Sequence, residues 1–307
     1  MKSFKRIIFF AVFIFFIPFV SAKSKSVNYK KPLLKVSFID VGQGDSELII
    51  TPRGTVILID GGPGRSEWSN WDAGEKVVVP YLKSKGIKKI DYIVMSHAHL
   101  DHCGGLIPVV KKFKVKNFVD PGLDYPSYIY EELLDIISRK KINYIEVRAG
   151  DRPKWDKDCG ILILNPPKKL FKGGSEANEN SIVLKLTYKK ISFLFTGDAE
   201  RRAERFITKK FKKQLLSTVL KVAHHGSQTS SSQTFLDWTM PIISIIEVGA
   251  HNRWGHPHKV VLKRLKDYGC RVLRTDKDGT IEIITDGINY EVKFPDKEDV
   301  NYGEGYE

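Results

Sequence analysis

The sequence predicts an α/β (α+β) fold in a single domain, with two β-sheets covered by helices on their outer sides. The 307-residue chain is 42% apolar, which is enough to bury a large core. Strand-like segments are first adjacent in sequence and then alternate with helical ones, as expected when helices cover sheets. No linker-like stretch interrupts residues 33–292, so we predict one domain over that range.

The first 22 residues predict a signal peptide. Lys2, Lys5 and Arg6 form a positive start, a 14-residue apolar stretch follows, and Val-Ser-Ala precedes Lys23. The apolar stretch is shorter than the roughly 20 residues of a membrane-spanning helix. We therefore expect an extracytoplasmic, secreted protein, with an uncleaved N-terminal membrane anchor as the alternative. Removal of the segment would leave 47 basic and 36 acidic residues, a net charge of +11.

Twelve segments are predicted as β-strands because apolar and β-branched residues predominate between turn residues. Two of them, 181–188 and 191–198, should pair as a hairpin around two lysines. A flexible leader (23–32) precedes the first strand, and a loose acidic tail (293–307) is expected after the last. The predicted strands are 33–40, 46–51, 55–62, 89–96, 143–147, 160–165, 181–188, 191–198, 217–225, 242–249, 270–275 and 279–285.

Five segments are predicted as helices because their apolar residues recur at helical spacing. Gly86 and Gly269 mark the ends of two of them. The lysine-rich runs 111–116 and 209–213 are interpreted as solvated faces in preference to nucleic-acid patches. The predicted helices are 75–86, 104–113, 128–141, 199–211 and 258–269.

Charge and cysteine content narrow the class of protein. The net charge of +14 is compatible with a polyanionic substrate, an anionic surface or solubility alone. Cys103, Cys159 and Cys270 are odd in number and widely spaced, which does not predict a disulfide framework. One bridge between Cys159 and Cys270 remains open as an alternative.

All eight histidines fall in three short stretches, 97–102, 224–225 and 251–258. The first stretch follows a predicted strand, so a loop at the strand end could aim its ligand-type side chains at one point. Imidazole and carboxylate groups at this density indicate Zn²⁺ or a similar divalent ion. Gly104 and Gly105 would let the next helix begin without side chains crowding the metal. The four ligand-type residues of the stretch are His97, His99, Asp101 and His102.

Two further predicted strands end in ligand-type residues. Asp198 ends one of them, and His224 and His225 end the next. An aspartate before a helix is often an N-cap. Because two other predicted strands also end in ligand-type residues, Asp198 is a candidate to bridge two ions. Three ligand-bearing strand ends imply a shared rim that can hold two metals. Such a site polarises a phosphoryl or carbonyl oxygen and supplies a hydroxide nucleophile near neutral pH.

At this point the sequence resembles a known family. HAHLDH at 97–102 matches the H-x-H-x-D-H signature of the metallo-β-lactamase superfamily. Its ComEC-type branch, which includes the hydrolase domain of a DNA-uptake competence protein, is similar over residues 33 to about 287. The matching segments are FIDVGQGDS, LIDGG, SHAHLDHCGG, NSIVL, FTGD, LKVAHHGSQTSS and VGAHNRWGHP. The resemblance implies an αββα sandwich with the site at one edge between the sheets. The long membrane channel of ComEC is absent from this sequence, so DNA translocation is not implied.

The resemblance also implies a role for each matching residue. His97 and His99 would bind the first metal, with Asp198 bridging. The second metal would be bound by Asp101, His102 and one histidine of the HHGS pair, for which His225 is preferred to His224. Asn180 stands where the wider superfamily has a further histidine ligand, and it could equally be an ordinary strand-start residue. A neutral asparagine is a weaker ligand, which makes Mn²⁺ an alternative to Zn²⁺.

Three residues near the expected metals are candidates for catalysis or substrate binding. Asp101 is expected to orient the attacking hydroxide, and His256 to protonate the leaving group, unless His256 is only part of a Pro-terminated turn. Ser227 offers a donor to an oxyanion, as any polar loop can.

Three functions follow from these features. The first is an exported metal-dependent phosphodiesterase, in particular a nuclease acting on DNA or RNA through metal-bound hydroxide at a dinuclear site. The second is a hydrolase of a lactam, a lactone or a choline-phosphate ester in the same fold. The third is a non-catalytic metal-binding relative, which the intact ligand set disfavours. No protein partner is inferred.

Overall fold

The computed structural model describes residues 32–67 and 69–298, and in these residues helices pack on the outer faces of two β-sheets. The predicted class, α/β with two helix-covered sheets, is confirmed. The predicted signal peptide, nearly all of the leader and residues 299–307 of the predicted tail lie outside the described residues. No helix among the described residues has both the length and the apolar content needed to span a bilayer.

Fourteen strands build the two sheets. In chain order they are β1 (Leu34–Phe38), β2 (Glu47–Ile50), β3 (Val56–Ile59), β4 (Lys89–Val94), β5 (Lys114–Asp120), β6 (Asn143–Glu146), β7 (Gly160–Asn165), β8 (Val183–Tyr188), β9 (Ile191–Phe195), β10 (Val219–Lys221), β11 (Ile243–Ile246), β12 (Arg271–Arg274), β13 (Ile281–Thr285) and β14 (Tyr290–Lys293). The first sheet has the order β14-β13-β1-β2-β3-β4-β5-β6 and the second the order β12-β11-β10-β9-β8-β7. The strands from β3 to β6 are parallel, as are those from β9 to β12.

In residues 32–67 and 69–298, ten α-helical segments connect or cover these strands. They are α1 (Val79–Ser84), α2 (Leu100–Cys103), α3 (Leu106–Lys112), α4 (Tyr128–Arg139), α5 (Glu176–Glu179), α6 (Arg201–Phe211), α7 (Gln233–Thr239), α8 (Lys259–Asp267), α9 (Thr275–Asp278) and α10 (Pro295–Glu298). A π-helical turn, Gly74–Val78, runs directly into α1. Helices α1, α3 and α4 pack on the first sheet, and α6, α7 and α8 pack on the second.

Alternation along the strands creates three apolar layers. In β3, Ile57 and Ile59 face the layer between the sheets, whereas Leu58 faces the helices. In β9, Phe193 faces the same central layer and Leu194 faces the helices of the second sheet. Strands buried on both faces have continuous apolar sequences. The layering is therefore helix, sheet, sheet, helix.

Two strands, five short helices and one boundary differ from the sequence-based prediction, which did not include β5, β14, α2, α5, α7, α9 and α10. The run 111–116 is not a single solvated face, because its second half begins β5. In β5 the exposed Lys114 and Lys116 alternate with the buried Val115 and Asn117, and the lysines obscure the strand pattern. Strand β14 crosses the predicted domain boundary at 292, and α10 follows it. Asp296 of α10 accepts a hydrogen bond from the backbone N–H of Thr280 (2.6 Å), so the predicted tail begins too early.

The cysteines are free thiols, so the alternative bridge between Cys159 and Cys270 is not formed. Cys103 is fully buried beside the histidine-rich loop, in the apolar layer between the first sheet and its helices.

The loops that matter most follow the carboxyl ends of β4, β9 and β10. β4 belongs to the first sheet, and β9 and β10 are parallel neighbours in the second. Because the two sheets pack against each other through one apolar layer, their loops can meet at a common edge. The shared rim expected from the sequence is therefore present.

Candidate metal centre

The histidine-rich loop leaves β4 and forms the short helix α2. The backbone N–H groups of His102 and Cys103 both donate to the His99 carbonyl (3.0 and 2.9 Å), which starts the helical turn. One turn of helix places Asp101 and His102 on one side and leaves His97 and His99 before the turn. The loop thus divides its four ligand-type residues between two neighbouring groups.

The loops after β9 and β10 bring the remaining donors. Asp198 is set by a tight turn in which Gly197 has φ +48°, and a Cβ at Gly197 would overlap the Ser96 side chain. His224 and His225 both have left-handed backbone angles, with φ of 52° and 51°. Such angles are costly for residues other than glycine. They aim two consecutive imidazoles at the same carboxylate, that of Asp198.

The first group of donors, here called the His102 group, consists of Asp101, His102, His225 and one oxygen of Asp198. Asp198 Oδ1 lies 3.4 Å from His102 Nε2 and 3.8 Å from His225 Nε2. His225 Nε2 also lies 3.4 Å from Asp101 Oδ2. One ligand atom each of Asp101, His102 and His225 therefore lies within 4.8 Å of the others, a spacing that suits one divalent ion, and Asp198 Oδ1 adjoins both imidazoles.

Both imidazoles of the His102 group are fixed from behind. His102 Nδ1 is 2.9 Å from Asp60 Oδ2, and Asp60 also accepts hydrogen bonds from the backbone N–H and the hydroxyl of Ser96. His225 Nδ1 is 2.9 Å from the backbone oxygen of Glu247. Such partners fix the tautomer and leave Nε2 free to bind a metal.

The second group, here called the His97 group, consists of His97, His99 and the other oxygen of Asp198. His97 Nε2 lies 3.0 Å from His99 Nδ1 and 3.9 Å from Asp198 Oδ2. Its outer support is weaker, because His97 Nδ1 faces only the Ser96 hydroxyl at 3.0 Å. His224 approaches the same oxygen, with its Nε2 3.6 Å from Asp198 Oδ2.

The donor atoms fit a metal because they are buried without hydrogen-bond partners. Each of His102 Nε2, His225 Nε2 and Asp198 Oδ1 is inaccessible to solvent and has no hydrogen-bond partner in the described part of the chain. A buried polar atom without a partner costs about 1–3 kcal/mol, so three such atoms that face one another fit a cation bound between them. The same carboxylate turns its second oxygen toward the His97 group.

The pKa values show how strongly this site favours positive charge. Burial opposes protonation of His225, but Asp198 and Asp45 raise its pKa to about 10. The pKa of His102 is likewise raised well above its usual range, against burial, by Asp198 and Asp45. Burial and the adjacent charge on His102 hold the pKa of His97 well below 6.5, so that imidazole is neutral. A metal would replace protons in the His102 group and meet neutral nitrogen in the His97 group.

A layer of buried charge behind the His102 group escaped the sequence-based prediction. Lys221 is fully buried, forms an ion pair with Asp45 and donates to the Gly197 carbonyl (3.3 Å). Asp45 Oδ1 lies 3.2 Å from His225 Nδ1, so the pair stands directly behind the metal ligands. Leaving one member of such a pair alone is strongly destabilising.

Two buried glutamates extend this layer. The carboxyl groups of Glu47, Glu247 and Asp45 lie within 4.8 Å of one another. Burial and the charge of Asp45 raise the pKa of Glu247 to about 8, and burial with Glu247 raises that of Glu47 well above its usual range. A single charged residue in an otherwise apolar strand is the sequence signal for Glu47, Lys221 and Glu247. It is visible in ELII, VLKV and IISIIEV.

Asn180 does not face the donors. Its Oδ1 accepts from the backbone N–H of Phe171 (2.9 Å), and its Nδ2 donates to the carbonyls of Phe171 and Glu176 (2.9 Å each). The amide holds a loop together, which agrees with the alternative of a structural residue at the strand start. Ser227 is also occupied locally, with its hydroxyl 3.0 Å from that of Thr229.

His256 reaches the rim, as expected. Its ring centroid lies 5.5 Å from that of His224 and 6.2 Å from that of His225, and its buried Nδ1 has no hydrogen-bond partner. Burial together with His225 and His224 lowers the pKa of His256 to about 4. The ring is therefore neutral at pH 7, so it can donate a hydrogen bond but carries no positive charge.

Glycines bring the metal loop into direct contact with the loop after β3. A Cβ at Gly105 would overlap the backbone of Gly61, and one at Gly104 would overlap that of Gly64. At Gly74 a Cβ would overlap the Gly105 carbonyl. The two glycines after His102 are therefore required by backbone contact with a neighbouring loop. This differs from the sequence-based reason, which was space around the metal.

A cleft of about 470 Å³ opens beside the donors. It is bounded by the turn after β1, the loop after β3 and the loop after β11. Its wall is mostly apolar, and it reaches the metal loop at His99 and Asp101. The lining residues are Val41, Gly42, Gln43, Pro63, Trp71, His99, Leu100, Asp101, Arg253 and Trp254.

Comparison with known proteins places this fold and site among described families. Residues 39–238 match the model of the metallo-beta-lactamase superfamily. "ComE operon protein 3" of Bacillus subtilis (strain 168) is 35% identical over 257 residues, 81% of this chain and 32% of that protein. "Recombination protein 2" of Haemophilus influenzae is 31% identical over 258 residues, 82% of this chain and 29% of that protein. This chain thus spans about a third of the length of these relatives.

A solved structure shares the fold at low sequence identity. The diiron β-hydroxylase CmlA from Streptomyces venezuelae superposes with a TM-score of 0.50 and 12% identity. The match covers 78% of this chain and 52% of that one.

Proposed function

The chain belongs to the metallo-β-lactamase superfamily, which includes metal-dependent hydrolases, and we propose that it is an exported phosphodiesterase that cleaves nucleic acid at a two-ion centre. The observation that carries the proposal is the position of Asp198. Its two oxygens face separate sets of imidazoles, His102 with His225 on one side and His97 on the other. A carboxylate placed in this way suits two adjacent ions that act on one substrate group.

Divalent ions bound there would polarise a phosphoryl oxygen and lower the pKa of bound water toward neutrality. Five imidazole nitrogens around two carboxylates favour Zn²⁺ over harder ions, and Mn²⁺ is the alternative. The nitrogens are supplied by His97, His99, His102, His225 and, beside Asp198, His224.

Asp101 is the protein group best placed to orient the attacking water. Its carboxylate is 30% exposed and lines the cleft, whereas Asp198 is buried. Against the effect of burial, His102 and His225 hold the pKa of Asp101 well below its usual range. Asp101 is thus an ionised acceptor at the meeting point of donors and cleft, as a water-orienting residue must be.

A phosphodiester is favoured over other hydrolysable bonds by charge. The chain carries a net charge of +14, and Arg253 lines the cleft. Similarity to a "Recombination protein 2" is consistent with a nucleic-acid substrate. Contacts between basic groups and phosphates release counterions, so binding should weaken steeply as salt rises. A lactam, a lactone or a choline-phosphate ester remains the alternative substrate class.

The test is an assay of the purified protein with Zn²⁺ or Mn²⁺ at low salt. We expect metal-dependent cleavage of DNA or RNA that falls as salt rises and is lost in Asp101→Ala. Asp237→Ala, which removes an exposed carboxylate on α7, is the matched control and should retain activity. Nitrocefin hydrolysis without nuclease activity under these conditions would contradict the proposal and favour a lactam as the substrate.

His256 is proposed to donate a hydrogen bond to the leaving oxygen. Because the ring is neutral at pH 7 and adjoins the metal-binding histidines, His256→Ala should lower turnover by roughly 10- to 100-fold. Its metal content should be that of the wild type. His251→Ala, a change of an exposed histidine in the same loop, is the control. Loss of metal from His256→Ala would instead assign the ring to the ligand set.

Export is proposed from the N-terminal sequence alone. The mature protein should begin near Lys23, with a net charge of +11. N-terminal sequencing of protein from the culture medium tests this. Recovery of Met1 on protein extracted from membranes would favour the anchor.

A further inference from the structure

We propose that the cleft beside the metal centre is a stacking subsite for the unpaired bases of single-stranded nucleic acid, formed by Trp71 and Trp254. The inference rests on the proposed function and deepens it by naming the form of the substrate. It depends on where the exposed aromatic side chains of the described residues lie.

Four tryptophans lie in the described residues, and they divide into two kinds. Trp155 is buried and Trp238 is partly buried, both within apolar layers. Trp71 and Trp254 are 50% and 47% exposed, and both line the cleft that reaches His99 and Asp101. Single exposed apolar residues are common, but two indoles in one cleft beside a catalytic centre mark a binding surface.

The two tryptophans come from loops of different sheets. Trp71 follows β3 of the first sheet, and Trp254 follows β11 of the second. Opposite loops thus present flat apolar faces to the same space. An indole side chain has only two rotatable bonds, so it loses little conformational entropy on binding a flat ring.

Both loops are held in place by their own hydrogen bonds. In the loop after β11, Asn252 accepts from the backbone N–H of His256 (2.9 Å) and donates to its carbonyl (2.7 Å). Asn252 also donates to the Gly249 carbonyl (3.0 Å). In the loop after β3, Asp72 Oδ1 accepts from the backbone N–H of Glu75 (2.9 Å). Hydrogen bonds thus fix backbone close to each of the two exposed tryptophans.

Charge in the cleft favours a nucleobase attached to a phosphate over an uncharged aromatic ligand. The Arg253 guanidinium carbon lies 4.5 Å from the centroid of the Trp254 ring, so a positive charge sits on the stacking surface. Arginine and aromatic planes together recognise bases and their phosphates in single strands. Inside a duplex both faces of a base are covered by its neighbours, which prevents stacking on an indole. Single-stranded nucleic acid is thus the expected occupant.

The experiment measures binding without cleavage. Labelled ten-residue oligothymidylate, oligouridylate, an abasic oligomer of the same length and a duplex are titrated in EDTA, and fluorescence anisotropy gives the Kd. The abasic oligomer keeps the phosphates and lacks the bases, so the ratio of the two Kd values isolates stacking. The variants are Trp71→Ala, Trp254→Ala and Trp254→Phe, with Tyr128→Ala as the control. Tyr128 is 76% exposed and does not line the cleft.

The wild type should bind the base-carrying single strands at least about tenfold more tightly than the abasic oligomer. Each alanine variant should lose most of this preference, Trp254→Phe should retain part of it, and Tyr128→Ala should retain all of it. Equal affinity for the base-carrying and abasic oligomers, or tighter binding of the duplex, would overturn the stacking subsite whatever the outcome of the nuclease assay. Trp-dependent base preference without cleavage in Zn²⁺ or Mn²⁺ would support the subsite and contradict the proposed function.

Discussion

The two halves of the metal centre share Asp198 but are supported differently. In the His102 group, both imidazoles have a carboxylate or carbonyl behind them, and the buried pair Lys221–Asp45 stands behind those. In the His97 group, the outer partner of His97 is a serine hydroxyl, and Asn180 is turned toward its own loop. The same types of side chain are thus fixed by strong outer partners in one group and by a weaker one in the other. Outer partners, more than the ligands themselves, should set the order in which the two sites fill.

The largest expected effect is loss of both ions on removal of the shared carboxylate. Asp198→Ala takes one donor from each group and leaves the imidazoles without a bridging negative charge. Metal content measured by elemental analysis should fall from up to two ions per chain to near zero, and hydrolysis should be abolished. His99→Ala should retain the ion of the His102 group. Full metal content in Asp198→Ala would show that the two groups do not depend on a shared carboxylate.

The next effect is a difference in affinity between the halves. Outer-shell partners contribute about 10- to 100-fold to metal affinity, so one ion should be removed by a chelator well before the other. Titration of the loaded protein with EDTA, followed by metal analysis, should show two steps. Asp60→Ala, which removes the partner of His102, should bring the steps together. A single step in the wild type would mean that outer support does not distinguish the halves.

The pH dependence of the metal-free protein should also distinguish the halves. The pKa of His225 is raised to about 10 from 6.5, so its proton stabilises the fold fully below pH 6.5. That contribution is lost as pH rises toward 10, at a slope of up to about 1.4 kcal/mol per pH unit. Thermal unfolding in EDTA should show Tm falling from pH 6.5 to 10. His225→Gln should flatten this fall, whereas His97→Gln should not, because the pKa of His97 is lowered.

The smallest effect concerns Asn180. Because its amide bonds only to backbone groups of 171–176, Asn180→Ala should leave metal content unchanged. Unfolding free energy should fall by about 1–3 kcal/mol through the unpaired backbone groups. Urea denaturation and elemental analysis of the same sample measure both. Loss of an ion from this variant would restore the ligand role that the family resemblance allows.

The sequence predicted that the ligand-type residues lie next to the ends of apolar strands, although β9 and β10 end at Phe195 and Lys221, before the predicted ends at 198 and 225. The surroundings of these residues were not predictable. His97, His102, Asp198 and His225 follow apolar runs, and parallel strand ends meet at one edge, so their convergence could be predicted. The buried charges could not be placed, because a lone lysine in an apolar strand predicts exposure unless its partner is known. Lys221 and Asp45 are 176 residues apart in sequence, and their pairing depends on the finished fold.

Exposed lysines caused a second error, because they hid a strand from the sequence-based prediction. Lys114 and Lys116 are exposed residues of β5, yet their charges made the segment resemble a solvated run. For Asn180, spacing gave the position but not the direction of the side chain, which depends on hydrogen bonds with a loop nine residues earlier. Whether a charged residue in a strand is buried or exposed can therefore be interpreted only when its neighbouring strands are known.

Two parts of this surface differ in how well they tolerate mutation. One is the wall of the cleft, and the other is the backbone contact formed by Gly61, Gly64, Gly74, Gly104 and Gly105. The walls of the cleft can accept new side chains, since Trp71 and Trp254 project into solvent and could be exchanged as substrates change. The glycine contact beneath them admits no side chain, not even a methyl group, without moving the loop that carries Trp71 or the helix that carries His102. Substitutions that alter substrate preference are therefore expected in the cleft wall. A substitution at the glycine contact would have to move the metal loop and the loop after β3 together.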